Sequence, residues 1–197
     1  YPGEVNLTES DRQAHYVKRC MGLPGDTIRI HVGGVFVNNN EMTTPPYGKL
    51  SDRFETHDRR YRTTRGVPGS RGFTEEEFGP LVVPKRGSII QLNVENFDEW
   101  SRFILREGHR IHLDANEAVF IDDQPVTTYN VEHDYFFMLG DNRHNSLDSR
   151  FWGFVPEENL IGEALLVYWS WDPEIPVMHA EGKMKSIRWG RIGALIK

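Results

Sequence analysis

The chain's strongest strand signals are seven short runs, none longer than seven residues, punctuated by Gly, Pro, Asn and Asp. They are HYVKRC (15–20), TIRIHV (27–32), VFVN (35–38), SIIQLNV (88–94), AVFID (118–122), YFFML (135–139) and EALLVYW (163–169). Runs of this length carrying β-branched and aromatic residues suit strands, and they are too short for a core helix or a bilayer span, which needs about 20 apolar residues. The spacing predicts a mostly β fold with few helices. One helix is expected over FDEWSRFILREG (97–108), where Phe97, Trp100, Phe103 and Ile104 recur at helical spacing.

Two segments are built alike, IRIHVGGVFVNNNEM (28–42) and RIHLDANEAVFIDDQPV (110–126), each an Ile-His-aliphatic strand, a polar turn, a Val-Phe-aliphatic strand and a second polar turn. Both read as hairpins, the first turning at Gly33-Gly34. Between them, residues 42–72 are rich in Pro, Gly, Arg and Thr and poor in aliphatics. The expected plan is a β core from 1–38 and 132–197, with a β-rich lobe inserted as 39–131. The opening YPGEV reads as the exit from a strand already under way.

Charge and cysteine content narrow the chemistry. The net charge of −6 comes from scattered acidic residues, which argues against a nucleic-acid partner. A lone cysteine, Cys20, rules out an internal disulfide framework, and it is expected to be a small buried hydrophobe. The eight histidines show no ligand spacing, so neither a metal nor a cofactor is expected. At the C-terminal end, IRWGRIGALIK (187–197) sets Trp189 and aliphatics beside basic residues, a pattern that suits a membrane surface or, as preferred here, packing on the core.

The densest polar stretch is GDNRHNSLDSRFWGFVP (140–156). Gly140 and Asp141 turn the chain after YFFML, and Asn142, Arg143, Asn145, Ser146, Asp148, Ser149 and Arg150 follow closely. Such groups cost free energy on burial unless they satisfy one another, so they read as a mutual network. One reading is a structural loop clamped by Asp148–Arg150 or Asp141–Arg143 pairing. The other is a reactive site, and it needs a partner. YVKRCMGLPGD (16–26) offers one: strand alternation puts Tyr16, Lys18 and Cys20 on one face. A lysine shielded from water on such a face can act as a general base, whereas a snorkelling or salt-bridged lysine is inert.

Together, YVKRCMGLPGD and GDNRHNSLDSRFWGFVP, followed by ENLIGEA, resemble the lysine-bearing motif and the last motif of the type I signal peptidases. These are membrane-bound serine endopeptidases that remove N-terminal signal peptides from exported proteins. The resemblance implies a signal-peptidase-like β core and a Ser–Lys dyad. In it Lys18 is the general base, Ser146 orients the lysine, and Asp141, Asn142, Arg143, Asp148 and Arg150 brace the site. It further implies signal peptides of exported preproteins as partners, with small residues at substrate positions −1 and −3, and a location on the outer side of the bacterial cytoplasmic membrane.

The family's nucleophile lies upstream of the lysine motif in a Ser-Met-x-Pro-like segment, and no such segment occurs here. Neither Ser10 nor Ser88 is a good substitute, and Ser146 matches the orienting serine. The nucleophile and the N-terminal membrane anchor are therefore expected to be absent from this chain and the chain itself inactive. Rival readings are a degenerate signal-peptidase-like binding or assembly factor and a self-cleaving repressor-type Ser–Lys protease.

Overall fold

A computed structural model describes residues 15–45, 48, 72–143, 146–172 and 184–196. The strand exit read at 1–5 and most of the 42–72 excursion lie outside the described residues. The fold is mostly β, in antiparallel sheets. In chain order the strands are β1 (Arg19–Gly22), β2 (Thr27–His31), β3 (Gly34–Val37), β4 (Asn40–Glu41), β5 (Glu77–Val82), β6 (Ile89–Gln91), β7 (Ile111–Leu113), β8 (Val119–Ile121), β9 (Gln124–Pro125), β10 (Thr128–Asn130), β11 (Tyr135–Leu139) and β12 (Val155–Pro156). Helix α1 spans Phe97–Arg106 and the one-turn α2 spans Ser149–Trp152.

The sheet orders are β1-β11-β12, β10-β6, β4-β3-β2-β5 and β7-β8-β9. Alternation sets what each strand buries. In β2, Ile28 and Ile30 point inward while Arg29 and His31 face out; in β11, Tyr135, Phe137 and Leu139 are buried. Phe137 packs between Phe78 and Phe154, with ring centroids at 5.5 and 6.3 Å, and Phe103 of α1 joins through Tyr135 at 4.7 Å.

Both predicted hairpins form, each extended to a third strand (β2-β3-β4 and β7-β8-β9). The first turn falls one residue earlier than expected. Val32 and Gly33 take left-handed φ of 47° and 78°, and Gly34 already pairs with His31. Two consecutive left-handed residues match the right-handed twist of the flanking strands. Asn38-Asn39 and Asp122-Asp123 repeat the device.

The structure also corrects two strands. The first run contributes only its last two residues, with β1 continuing through Met21 and Gly22. EALLVYW forms no strand among the described residues; it holds residues 193–196 by a single bridge, Leu166 to Leu195, and by backbone bonds such as Val167 N–H to the Ala194 carbonyl at 2.9 Å.

The chain divides into two units, Tyr1–Leu160 and Ile161–Lys197. The aromatic core and the site described below belong to the first. In the second, Trp189, Leu195 and Ile196 are exposed. Among the described residues, no helix is long and apolar enough to cross a membrane.

Candidate active site

Strand β1 pairs with β11 in the register Arg19 to Leu139 and Cys20 to Met138. Residue 18 is thereby carried to the point where β11 gives way to the polar loop. Lys18 Nζ donates a hydrogen bond to Ser146 Oγ at 2.8 Å, across 128 residues of sequence. The amine also stands 5.8 Å from the ring centroid of Tyr16, within cation–π range.

The lysine's face is more open than its alternation suggests. Tyr16 is 72% exposed and Lys18 half-buried. Cys20 is exposed, correcting the expectation of a buried thiol. Alternation assigns a residue to a face but not a cover to that face, and among the described residues β1 pairs with β11 alone.

Below the pair the loop is closed tightly. Asp148 is fully buried and caps α2, accepting from the Arg150 N–H. Its carboxylate accepts two parallel bonds from Arg150, Nε to Oδ1 and Nη2 to Oδ2, both at 2.9 Å, and a third from Gly140 N–H at 3.1 Å. Arg150 Nη2 also donates to the Arg143 carbonyl at 2.6 Å, and Arg143 Nε donates back to the Gly140 carbonyl at 3.1 Å. Arg143 is itself buried, and that burial, with Arg150 nearby, lowers the proton affinity of its guanidinium. No buried side-chain nitrogen or oxygen is left without a partner among the described residues. A satisfied network of this kind fixes geometry, since any movement strands a buried charge.

Asp141 pairs with Arg19 instead of Arg143. Arg19 forks onto it, Nε to Oδ1 and Nη2 to Oδ2, both at 2.9 Å, and the hydrogen bonds from Arg19 hold the Asp141 carboxyl below the usual carboxylate range. Asn142 is exposed and, among the described residues, takes no part in the network. Asn145 lies outside the described residues.

One contributor was not assigned from sequence. Arg19, next to the lysine, ties β1 to the loop; its alternation onto the opposite face was the available signal. Ser149, fully buried, accepts from Met138 N–H at 2.9 Å and pins α2 to β11. Gly140 is required by packing alone. A Cβ there would fall on Ser146 Oγ, within 2.6 Å of Ser146 Cβ and 3.5 Å of Lys18 Nζ. The arrangement thus presents one lysine amine, held in one direction by one hydroxyl, on a rigid polar base.

Residues 4–169 match the family described as signal peptidase, peptidase S26. The signal peptidase I of Buchnera aphidicola subsp. Acyrthosiphon pisum is 29% identical over 185 residues, covering 83% of this chain and 51% of that protein. The Helicobacter pylori J99 signal peptidase I is 27% identical over 198 residues, covering 95% of this chain and 62% of that protein. A 40-residue stretch is 60% identical to the signal peptidase I of Aquifex aeolicus, covering 20% of this chain and 16% of that protein. The chain spans roughly half to three-fifths of the length of the first two of these curated relatives. A match over this much of the sequence shows that the chain belongs to the signal peptidase, peptidase S26 family.

Proposed function

We propose that the chain is the catalytic part of a signal peptidase I that removes N-terminal signal peptides from exported preproteins, acting at the outer side of the bacterial cytoplasmic membrane. The observation that carries this reading is the 2.8 Å bond between Lys18 Nζ and Ser146 Oγ in a member of this family. Lys18 is the general base and Ser146 orients it. The nucleophile is a serine outside these 197 residues.

In the proposed reaction the neutral Lys18 amine takes the proton of the serine hydroxyl as its oxygen attacks the scissile carbonyl. The resulting ammonium returns that proton to the departing amine, which leaves an ester between serine and the signal peptide. Lys18 then takes a proton from water, whose oxygen attacks the ester, and protonates the serine oxygen as it leaves. Ser146 keeps the amine aimed throughout. Asp148, Arg150 and Arg143 hold the loop that carries Ser146, while Arg19 and Asp141 hold the loop against the start of β1, next to Lys18.

The test compares the 197-residue chain with the whole gene product on a peptide bearing an Ala-x-Ala site, with products read by mass spectrometry. Cleavage by the whole product alone, abolished by Lys18→Met, is the expected result. If neither form cleaves, the chain is a non-catalytic relative. If the 197-residue chain cleaves unaided, the nucleophile lies within it and the role given to Ser146 is overturned.

A further inference from the structure

The 140–148 loop hangs between two arms, β11 before it and α2 after it, and the two members of the Lys18–Ser146 pair are referenced to different arms. Lys18 follows β11, because β1 is hydrogen-bonded to that strand. Ser146 follows α2, because Asp148 caps that helix and Arg150 grips the loop backbone at Arg143. Sliding one arm past the other therefore changes the Lys18–Ser146 distance directly. Two bonds cross between the arms near the loop, Met138 N–H to Ser149 Oγ and Gly140 N–H to Asp148 Oδ2.

The far ends of both arms are held by adjacent residues at the end of α1. Arg106, its last residue, donates from Nη1 to the carbonyl of Trp152 at 2.7 Å, and Trp152 is the last residue of α2. Arg106 thus places a cation at the carbonyl end of that short helix. Glu107 accepts at Oε1 from the hydroxyl of Tyr135 at 2.9 Å, and Tyr135 is the first residue of β11. The same carboxylate accepts from Glu132 N–H and His133 N–H, just before β11, at 3.1 and 3.2 Å, and from the Tyr129 hydroxyl at 2.5 Å. Phe103, one turn earlier, packs at a tilt against Tyr135 and edge-on against Phe154 and supplies the apolar half of the contact.

We infer that Arg106 and Glu107 are positioning residues for the Lys18–Ser146 pair: the end of α1 acts as a brace that sets the offset between β11 and α2. A misplacement of about 1 Å is enough to cost roughly a hundredfold in rate at such a site. Arg106 touches neither Lys18 nor Ser146, and its whole effect passes through the two arms. The activity arm of the test rests on the proposed peptidase reading; the structural arm does not.

The structural arm uses amide hydrogen exchange by NMR on the 197-residue chain and its Arg106→Met variant, which keeps the aliphatic stem. Gly140 and Met138 N–H are expected to exchange at least about tenfold faster, while Ile28 and Ile30 in β2 stay unchanged and Arg106→Lys restores most of the protection. Unchanged exchange at Gly140 and Met138, or an equal loss at Ile28 and Ile30, overturns the inference.

The activity arm uses the whole gene product on the Ala-x-Ala peptide. Arg106→Met is expected to lower kcat about tenfold with KM unchanged, and to lower it no further in a Ser146→Ala background. Losses that multiply across the two substitutions overturn the inference. If the unsubstituted product fails to cleave, the peptidase reading falls, and hydrogen exchange alone decides the brace.

Discussion

Gly140→Ala tests whether the site works by geometry. Gly140 does not occupy the left-handed region, so an alanine there meets no backbone strain and its effect is purely one of space. The new methyl falls on Ser146 Oγ and 2.6 Å from Ser146 Cβ, where ordinary carbon contacts sit near 3.5–4.0 Å. Ser146 has to retreat by roughly 1 Å, which stretches the 2.8 Å bond from Lys18 beyond hydrogen-bond range. Overpacking of this kind costs about 1–3 kcal/mol of stability. On the proposed peptidase reading, displacing Ser146 costs about a hundredfold in kcat/KM, equivalent to about 2.7 kcal/mol at the transition state. The assay pairs urea unfolding of the 197-residue chain with kcat/KM of the whole gene product on the Ala-x-Ala peptide. Adding Ser146→Gly removes the clash and is expected to restore stability without restoring activity. Wild-type kcat/KM together with an unchanged urea midpoint in Gly140→Ala would refute the close approach and the steric reasoning built on it.

Asp148→Ala leaves the buried Arg150 guanidinium and the Gly140 N–H without their carboxylate; it should destabilise by about 3–5 kcal/mol, read from the urea midpoint. Phe137→Ala empties the space between Phe78 and Phe154 and should cost about 3–5 kcal/mol in the same measurement. His109 lies between Asp122 at 2.6 Å and Glu132 at 3.0 Å, beside the Tyr129 ring, and the bond to Asp122 first, then that to Glu132, raises its proton affinity above the ordinary histidine range. Its stabilisation is therefore complete below the unfolded value of about 6.5 and disappears as pH rises through the higher folded value. Thermal midpoints measured from acid to mildly alkaline pH should fall across that window, and the fall should vanish in His109→Gln.

The period-two alternation of TIRIH and YFFML made β2 and β11 legible, because in each strand one face is buried against the core. The helical spacing of Phe97, Phe103 and Ile104 did the same for α1. Strand β5 was not legible. It contains Gly79 and Pro80, residues that ordinarily end a strand, and it survives because these two oppose Arg29 in a bulge between the Ile28–Leu81 and Ile30–Phe78 pairs. The Asp148–Arg150 pair was readable because its partners are two residues apart. The Arg19–Asp141 fork was not, because 122 residues separate them and only the β1–β11 register brings them together. Cys20 was misread for a related reason: alternation says which side chains share a face, and nothing local says whether another element covers that face.

The pairing of β1 with β11 also sets when the site can exist. The bond from Lys18 to Ser146 spans 128 residues, so at the usual synthesis rate of roughly 5–20 residues per second the lysine leaves the ribosome about 6–26 s before its serine. Throughout that interval β1 has no β11 to pair with. The intervening hairpins are local and can close on their own schedule. Lysine and serine therefore meet only late in the birth of the molecule, and a ribosome stalled before residue 135 yields a chain with folded hairpins and no site.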